Sequence, residues 1–194
     1  MPHCKQVLVR RNSGYDFGSW AHVIRESHSQ LKRYEGLLLC NDSVFGPWGD
    51  LGLVLRQLDL RGDIDFWGLT ASLAPRWHLQ SYFILYAQRL VQSSVFEDFW
   101  HEIGLHDSKN DVILSYEVGW SELLTALGFR GKALFELATS VHNPTHESWH
   151  RLLEMGFPFI KKELIRENPL GVNLDALPGF LAQSPGPWAE DIRD

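Results

Sequence analysis

Five groups of residues carry the types and spacing that chemistry needs. Arg10–Gly18 joins two arginines, Asn12, Ser13, Gly14 and Asp16 in one short stretch. Between a strand and a helix, such a turn gathers backbone N–H groups and guanidinium groups where a diphosphate could sit, and Asp16 could accept from a ribose or a base. The same residues would serve equally as a left-handed turn with Ser or Asp capping the helix. Asn41-Asp42-Ser43 follows an apolar run. One carboxylate flanked by amide and hydroxyl oxygens could hold Mg²⁺ or Mn²⁺ on phosphates, or could form an Asx-turn. Glu117, after Tyr116, opens an apolar helical segment; its carboxylate could act as a general base in the same crevice or simply favour the helix dipole.

Two further groups are weaker. His146-Glu147-Ser148-Trp149-His150 spells a zinc-peptidase helix motif, in which both imidazoles would share one face. Pro144 lets the helix barely begin upstream, Arg151 is charged where such helices are apolar, and Glu167 is the one candidate third ligand, so a zinc hydrolase is the least supported of the readings. Lys161 and Lys162, after the apolar anchor Phe157–Ile160, could meet an anion or form a solvated face. The aromatic residues Phe66, Trp67, Trp77, Tyr82, Phe83 and Tyr86 could stack on a sugar, although strand spacing favours core for most of them. Cys4 reads as a terminal thiol and Cys40 as a small buried apolar residue.

The elements that must hold these groups follow from the rest of the chain. Its 194 residues suffice for one sizeable core. With 44 % hydrophobic and 22 % charged residues the chain is too apolar for disorder. A net charge of -6 argues against coating nucleic acid, and two cysteines exclude a disulfide scaffold. No apolar run approaches the roughly 20 residues that span a bilayer, and the first ten residues lack a signal-peptide core, so a cytoplasmic protein is expected. Gln6–Arg10 reads as a buried strand, Gly18–Tyr34 as a helix, and Gly36–Cys40 as a strand covered on both faces. A helix is expected at about 49–58, strands at 65–70 and 78–86, and helices at 88–100, 117–127, 144–154 and 159–166. From about Asn168 the chain reads as an irregular tail. This order predicts an α/β sandwich, with residues 1–170 as one domain and 171–194 as the tail.

Taken together, the segments Arg11–Trp20, Leu39–Pro47, Asp65–Thr70, His78–Phe83, Ser115–Glu117, Gly156–Lys161 and Glu167–Pro169 resemble the rhamnan synthesis protein F family of bacterial polysaccharide assembly. The resemblance spans about residues 7 to 170. It implies an α/β, GT-A-like (Rossmann-type) sandwich with a mixed sheet flanked by helices, here beginning without the usual first strand–helix units that hold the base and ribose. The implied activity is glycosyl transfer in rhamnan, O-antigen or lipopolysaccharide synthesis. A deoxyhexose such as rhamnose would pass from a nucleotide-diphosphate donor, dTDP-rhamnose-like, to a saccharide or lipid-linked glycan.

In that frame Glu117 would be the base, with Asp65 a second candidate. Arg11, Asn12, Asp16, Asn41, Asp42 and Ser43 would hold the donor, while His78, Gln80, Trp67 and Lys161 would shape the sugar or acceptor site. A divalent metal, Mn²⁺ or Mg²⁺, would rest on Asp42 with Ser43 or His142. A homodimer or a partner chain could complete the open half of the cleft, at the cytoplasmic face of the inner membrane. The alternative is a non-catalytic saccharide-binding or assembly subunit that has lost the donor half.

Overall fold

The computed structural model describes residues 4–11, 13–48, 50–104, 106, 108–137 and 143–183. Its centre is strand β6 (Phe83–Ala87), every residue of which is buried. Alternate side chains along a strand face opposite sides. Ile84 and Tyr86 accordingly enter one apolar cluster, and Phe83 and Leu85 enter another. Strand β1 (Gly36–Cys40) and strand β3 (Phe66–Gly68) flank β6 antiparallel, and β7 (Gly131–Ala133) adds to β3 in parallel, giving the order β1-β6-β3-β7. The fold is therefore α/β with a mixed sheet flanked by helices.

Helix α1 (Tyr15–Leu31) covers the first face with Phe17, Ala21 and Ile24. Beside it lie α3 (Gln88–Val91), α4 (Ser94–Glu102) and a long helical stretch. That stretch starts as α5 (Lys109–Val112), widens into a π-helical segment (Ile113–Val118) and resumes as α6 (Gly119–Ala126). Phe99 stacks on Trp120 at 3.9 Å, and Phe96 and Trp100 are fully enclosed. Each such side chain contributes about 1.5–3 kcal/mol by leaving water. The second face is covered by α2 (Leu51–Arg56), α8 (Trp149–Glu154), α9 (Lys162–Arg166) and α10 (Leu177–Gln183), and α7 (Pro144–Glu147) packs against α8. Two small ladders complete the fold: β2 (Val44–Phe45) with β8 (Ile160–Lys161), and β4 (Ala71–Ser72) with β5 (His78–Leu79). Among the described residues no helix is long and apolar enough to cross a membrane.

Several expectations change. Gln6–Arg10 forms no strand: Val7 and Val9 are 68 % and 95 % exposed, because an apolar run becomes a strand only against a partner edge, and none of the described strands pairs with it. β1 is an edge strand and is covered on one face rather than both: Leu39 is buried, whereas Leu38 and Cys40, on the other face, are exposed. The expected strand at 78–86 breaks at Gln80–Tyr82 into β5 and β6. The expected helix at 88–100 breaks before Ser94, where the Ser93 hydroxyl caps α4 by accepting from Phe96 N–H. Glu117 lies inside the π-helical segment and not at a helix start. The stretch 159–166 begins with β8 before α9, and α10 forms within the expected tail.

The path of the chain from β2 turns on Gly46. Its φ is +123°, and an added Cβ would sit 2.4 Å from the Pro158 carbonyl oxygen and 2.8 Å from Phe159. That carbonyl also accepts from Trp48 N–H at 2.8 Å. Gly46→Ala is expected to cost more than about 1 kcal/mol, seen as a lower urea midpoint at unchanged slope.

Candidate functional site

A cleft of about 500 Å³ opens where the first turn of α1, the end of β1, the Gln80–Tyr82 break, the π-helical segment, and β8 with α9 converge. The break matters for position: it takes Gln80 and Ser81 out of the ladder and lays them along the cleft. Asp16, Asn41, Asp42, Ser43, Gln80, Glu117 and Lys161, all expected site residues, line this one space.

Two networks organise it. In the first, Lys161 Nζ donates to Ser43 Oγ at 3.0 Å and lies 4.3 Å from the Tyr82 ring centroid. Ser43 Oγ donates to Asn41 Oδ1 at 2.6 Å, and Asn41 Nδ2 donates to Asp16 Oδ2 at 2.8 Å. Asn41 Oδ1 also accepts from Ser43 N–H, so the Asx-turn exists and is made by Asn41. Burial pushes the Lys161 ammonium down to about 8, against the pull of Glu117, Glu163 and Asp16. Burial likewise raises the Asp16 carboxyl, more than the Asn41 hydrogen bond lowers it.

In the second network, Ser81 Oγ donates to Glu117 Oε2 at 2.6 Å, and His78 Nε2 lies 3.4 Å from Oε1. His78 Nδ1 is 2.8 Å from the Arg76 carbonyl oxygen. A carbonyl only accepts, so Nδ1 carries a hydrogen, and Nε2 can donate to Glu117 when the ring is protonated. Burial lowers the His78 pKa, but the hydrogen bond to Glu117, the Arg76 carbonyl and the Glu117 charge outweigh it, and the imidazole titrates above the ordinary histidine value. His78 is thus a positioning residue behind Glu117 and does not itself line the cleft. The π-helical segment shifts the register of the helix where Glu117 meets β5 and the break.

Other expected residues lie elsewhere. Asp65 is buried at the sheet end, where it pairs with Arg89 and accepts from Arg130 N–H at 2.8 Å; it ties β3 to the chain entering β7 and is away from the cleft. Trp67 is 6 % exposed in the second apolar cluster, so it is core and not a sugar platform. Arg11 is exposed and does not line the cleft, while Arg10 is spent on the Ser13 carbonyl and the hydroxyls of Ser13 and Ser19. Asn12 and His142 lie outside the described residues. Gln80 is held between Thr70 Oγ1 and Asn143 Oδ1.

The zinc motif breaks at Ser148, between α7 and α8. His146 is buried and the His150 side chain is 57 % exposed, so the two imidazoles do not share a face. Ser81, Lys109, Asn143 and Glu163, which the sequence did not mark as site residues, also line the cleft, as does Tyr82, one of the aromatic residues considered for a sugar. Ser81 and Tyr82 stand within the His78–Phe83 block, whereas Lys109, Asn143 and Glu163 carried no motif.

The family model described as rhamnan synthesis protein F matches residues 3–177. The chain belongs to the rhamnan synthesis protein F family. It is 30 % identical over 202 residues to the virulence protein VirA of Vibrio anguillarum, which covers 87 % of this chain and 64 % of VirA. It is also 30 % identical over 136 residues to the uncharacterized protein y4gN of Sinorhizobium fredii, over 69 % of this chain and 36 % of that protein. The chain therefore spans less than two thirds of the length of these relatives. No solved structure matches it. Membership ties this rhamnan synthesis family member to polysaccharide biosynthesis.

The His78–Glu117 contact is testable. In Glu117→Gln the opposing charge is gone and burial is left dominant, so the His78 pKa should fall below about 6.5 in an NMR titration of the ring protons. Because the folded-state pKa is raised, the stability from this contact is full below about 6.5 and is lost as pH rises through the folded value. The variant should lack that loss in urea midpoints measured across the same range.

Proposed function

We propose that this protein acts as a GT-A-like glycosyltransferase in rhamnan or O-antigen-type polysaccharide synthesis, moving a deoxyhexose such as rhamnose from a nucleoside-diphosphate donor to a saccharide acceptor. The observation that carries this reading is one cleft holding both a half-buried lysine and an oriented carboxylate: Lys161 against Ser43, and Glu117 against Ser81 and His78. A transferase needs a cationic site for the departing diphosphate and a base for the acceptor hydroxyl, close together.

The chemistry follows. Lys161, with Lys162, Lys109 and Arg166 on the same cleft, neutralises the diphosphate. The positive end of α1 faces it through Tyr15, Asp16 and Phe17. The acceptor oxygen attacks the anomeric carbon from the side opposite the diphosphate. The C–O bond to phosphate breaks, and its electron pair leaves with the nucleotide. Glu117 takes the acceptor proton, while Ser81 and His78 hold its two oxygens in place.

The described residues are a poor fit to a divalent cation. The Asp42 side chain is 98 % exposed and faces Lys162 at 3.4 Å, and no group of three His, Cys, Asp or Glu side chains gathers among the described residues. The proposed step therefore runs on the lysines.

Calorimetric titration of the full chain with dTDP and with UDP tests this. Saturable binding is expected at pH 7, weakening as pH rises past about 8, where Lys161 of the free protein loses its proton. Lys161→Met should bind at least about tenfold more weakly at pH 7, one lost charge-assisted contact, with a flat pH profile. Binding of neither nucleotide at millimolar concentration would contradict the donor site and favour the saccharide-binding alternative.

A further inference from the structure

Behind the wall of the cleft runs a chain of hydrogen bonds whose directions are all fixed by one backbone group. Asn143 caps α7 by accepting from Thr145 N–H at 3.1 Å. A backbone N–H only donates, so the Asn143 atom that meets it is the amide oxygen. The Gln80 amide faces that oxygen at 2.9 Å and must therefore present its nitrogen. This turns Gln80 Oε1 toward Thr70 Oγ1, 2.7 Å away, where it takes the single hydrogen of the Thr70 hydroxyl. With that hydrogen spent, Thr70 Oγ1 accepts from the Tyr82 hydroxyl at 2.6 Å.

Thr70 stands at the middle of this relay. It is fully buried between β3 and β4 and does not line the cleft, whereas Gln80, Tyr82 and Asn143 do. Its carbonyl also accepts from Gln80 N–H at 3.1 Å, so backbone and side chain of Thr70 both hold the break before β6. The Tyr82 hydroxyl is buried, and among the described residues Thr70 is its one hydrogen-bond partner. A buried hydroxyl without a partner costs free energy, so the Tyr82 ring is tethered at its far end. The face of that ring lies against Lys161 Nζ, 4.3 Å from the centroid, where the negative face of an aromatic ring attracts a cation.

Resting on the transferase reading above, we infer that Thr70 is a positioning residue of the donor site: its one hydroxyl tethers the Tyr82 ring against the Lys161 ammonium and sets which way the Gln80 amide is turned.

The readout is the titration of the Lys161 side chain in the ligand-free full chain, followed by NMR at Cε and assigned by its loss in Lys161→Met. Asp16 on α1, Lys109 on α5, Glu117 on the π-helical segment and Glu163 on α9 also act on this ammonium, and none of them is altered. The ring favours the charged form, so loosening it lowers the titration from the wild-type value of about 8. Thr70→Val and Tyr82→Phe remove opposite ends of one hydrogen bond. Each is expected to lower the Lys161 titration by about half a unit and to weaken dTDP binding at pH 7 about threefold. The double variant should shift no further than either single one, and Thr70→Ser, which keeps the hydroxyl, should titrate as the wild type does. Tyr82→Phe and Thr70→Ser carry the test should Thr70→Val not fold. An unmoved Lys161 titration in Tyr82→Phe, a Thr70→Ser shift as large as that of Tyr82→Phe, or full addition in the double variant would overturn the role of Thr70. If the titrations move as expected but no variant and no wild type binds dTDP, the relay stands and the donor reading falls; if dTDP binds and the titrations do not move, the reverse holds.

Discussion

The site depends on an ammonium group placed where water cannot fully solvate it. Lys161 Nζ is held by the Ser43 hydroxyl and the face of Tyr82, with the carboxylates of Glu117, Glu163 and Asp16 nearby. Taking a cation out of water is costly unless it is paired and hydrogen-bonded. Each of these partners comes from a different part of the chain: Asp16 from α1, Ser43 from the turn after β1, Tyr82 from the break before β6, Glu117 from the π-helical segment, and Glu163 from α9. Satisfying one charge therefore brings five parts of the chain to one point.

The sheet makes this possible through its central strand. β6 buries alternate residues on opposite faces, and each face carries its own apolar cluster. Immediately before β6 the ladder stops, and Gln80, Ser81 and Tyr82 are released toward the cleft. Rigid packing behind the site and an irregular backbone at it is the division of labour expected of a binding or catalytic centre. His78, anchored on the Arg76 carbonyl, backs Glu117 from the small β4–β5 ladder.

Much of the fold was legible because it rests on periodicity. The apolar run Phe83–Ala87, the helical spacing of Trp20, Ile24 and Leu31, and the run Gly36–Cys40 each declare an element. What stayed hidden depends on distant partners. A strand-like run such as Gln6–Arg10 carries no record of whether an edge awaits it. The break at Gln80–Tyr82 sits inside a mostly apolar stretch, His78–Tyr86, that reads as one strand, and packing divides it. The π-helical segment leaves no mark in the apolar pattern. In the site, Asp16, Asn41–Ser43 and Glu117 stood out by type and position. Lys161 and Lys162 could meet an anion or form a solvated face, and the sequence does not choose, because the surroundings of Lys161 are decided by Ser43 and Tyr82, over a hundred and some eighty positions away. Asp65 and Trp67 misled because strand-end carboxylates and aromatic rings serve structure as readily as chemistry.

The claim at the centre of this account is that Lys161 and Glu117 face one bound nucleotide sugar from two sides. A crystal structure of the full chain with dTDP-rhamnose would test it most directly. The account predicts the diphosphate within hydrogen-bond distance of Lys161 Nζ and the Ser43 hydroxyl, with the sugar's anomeric carbon turned toward the Glu117 carboxylate. A nucleotide bound elsewhere, or a diphosphate in the cleft with Glu117 turned away from the sugar, would contradict it.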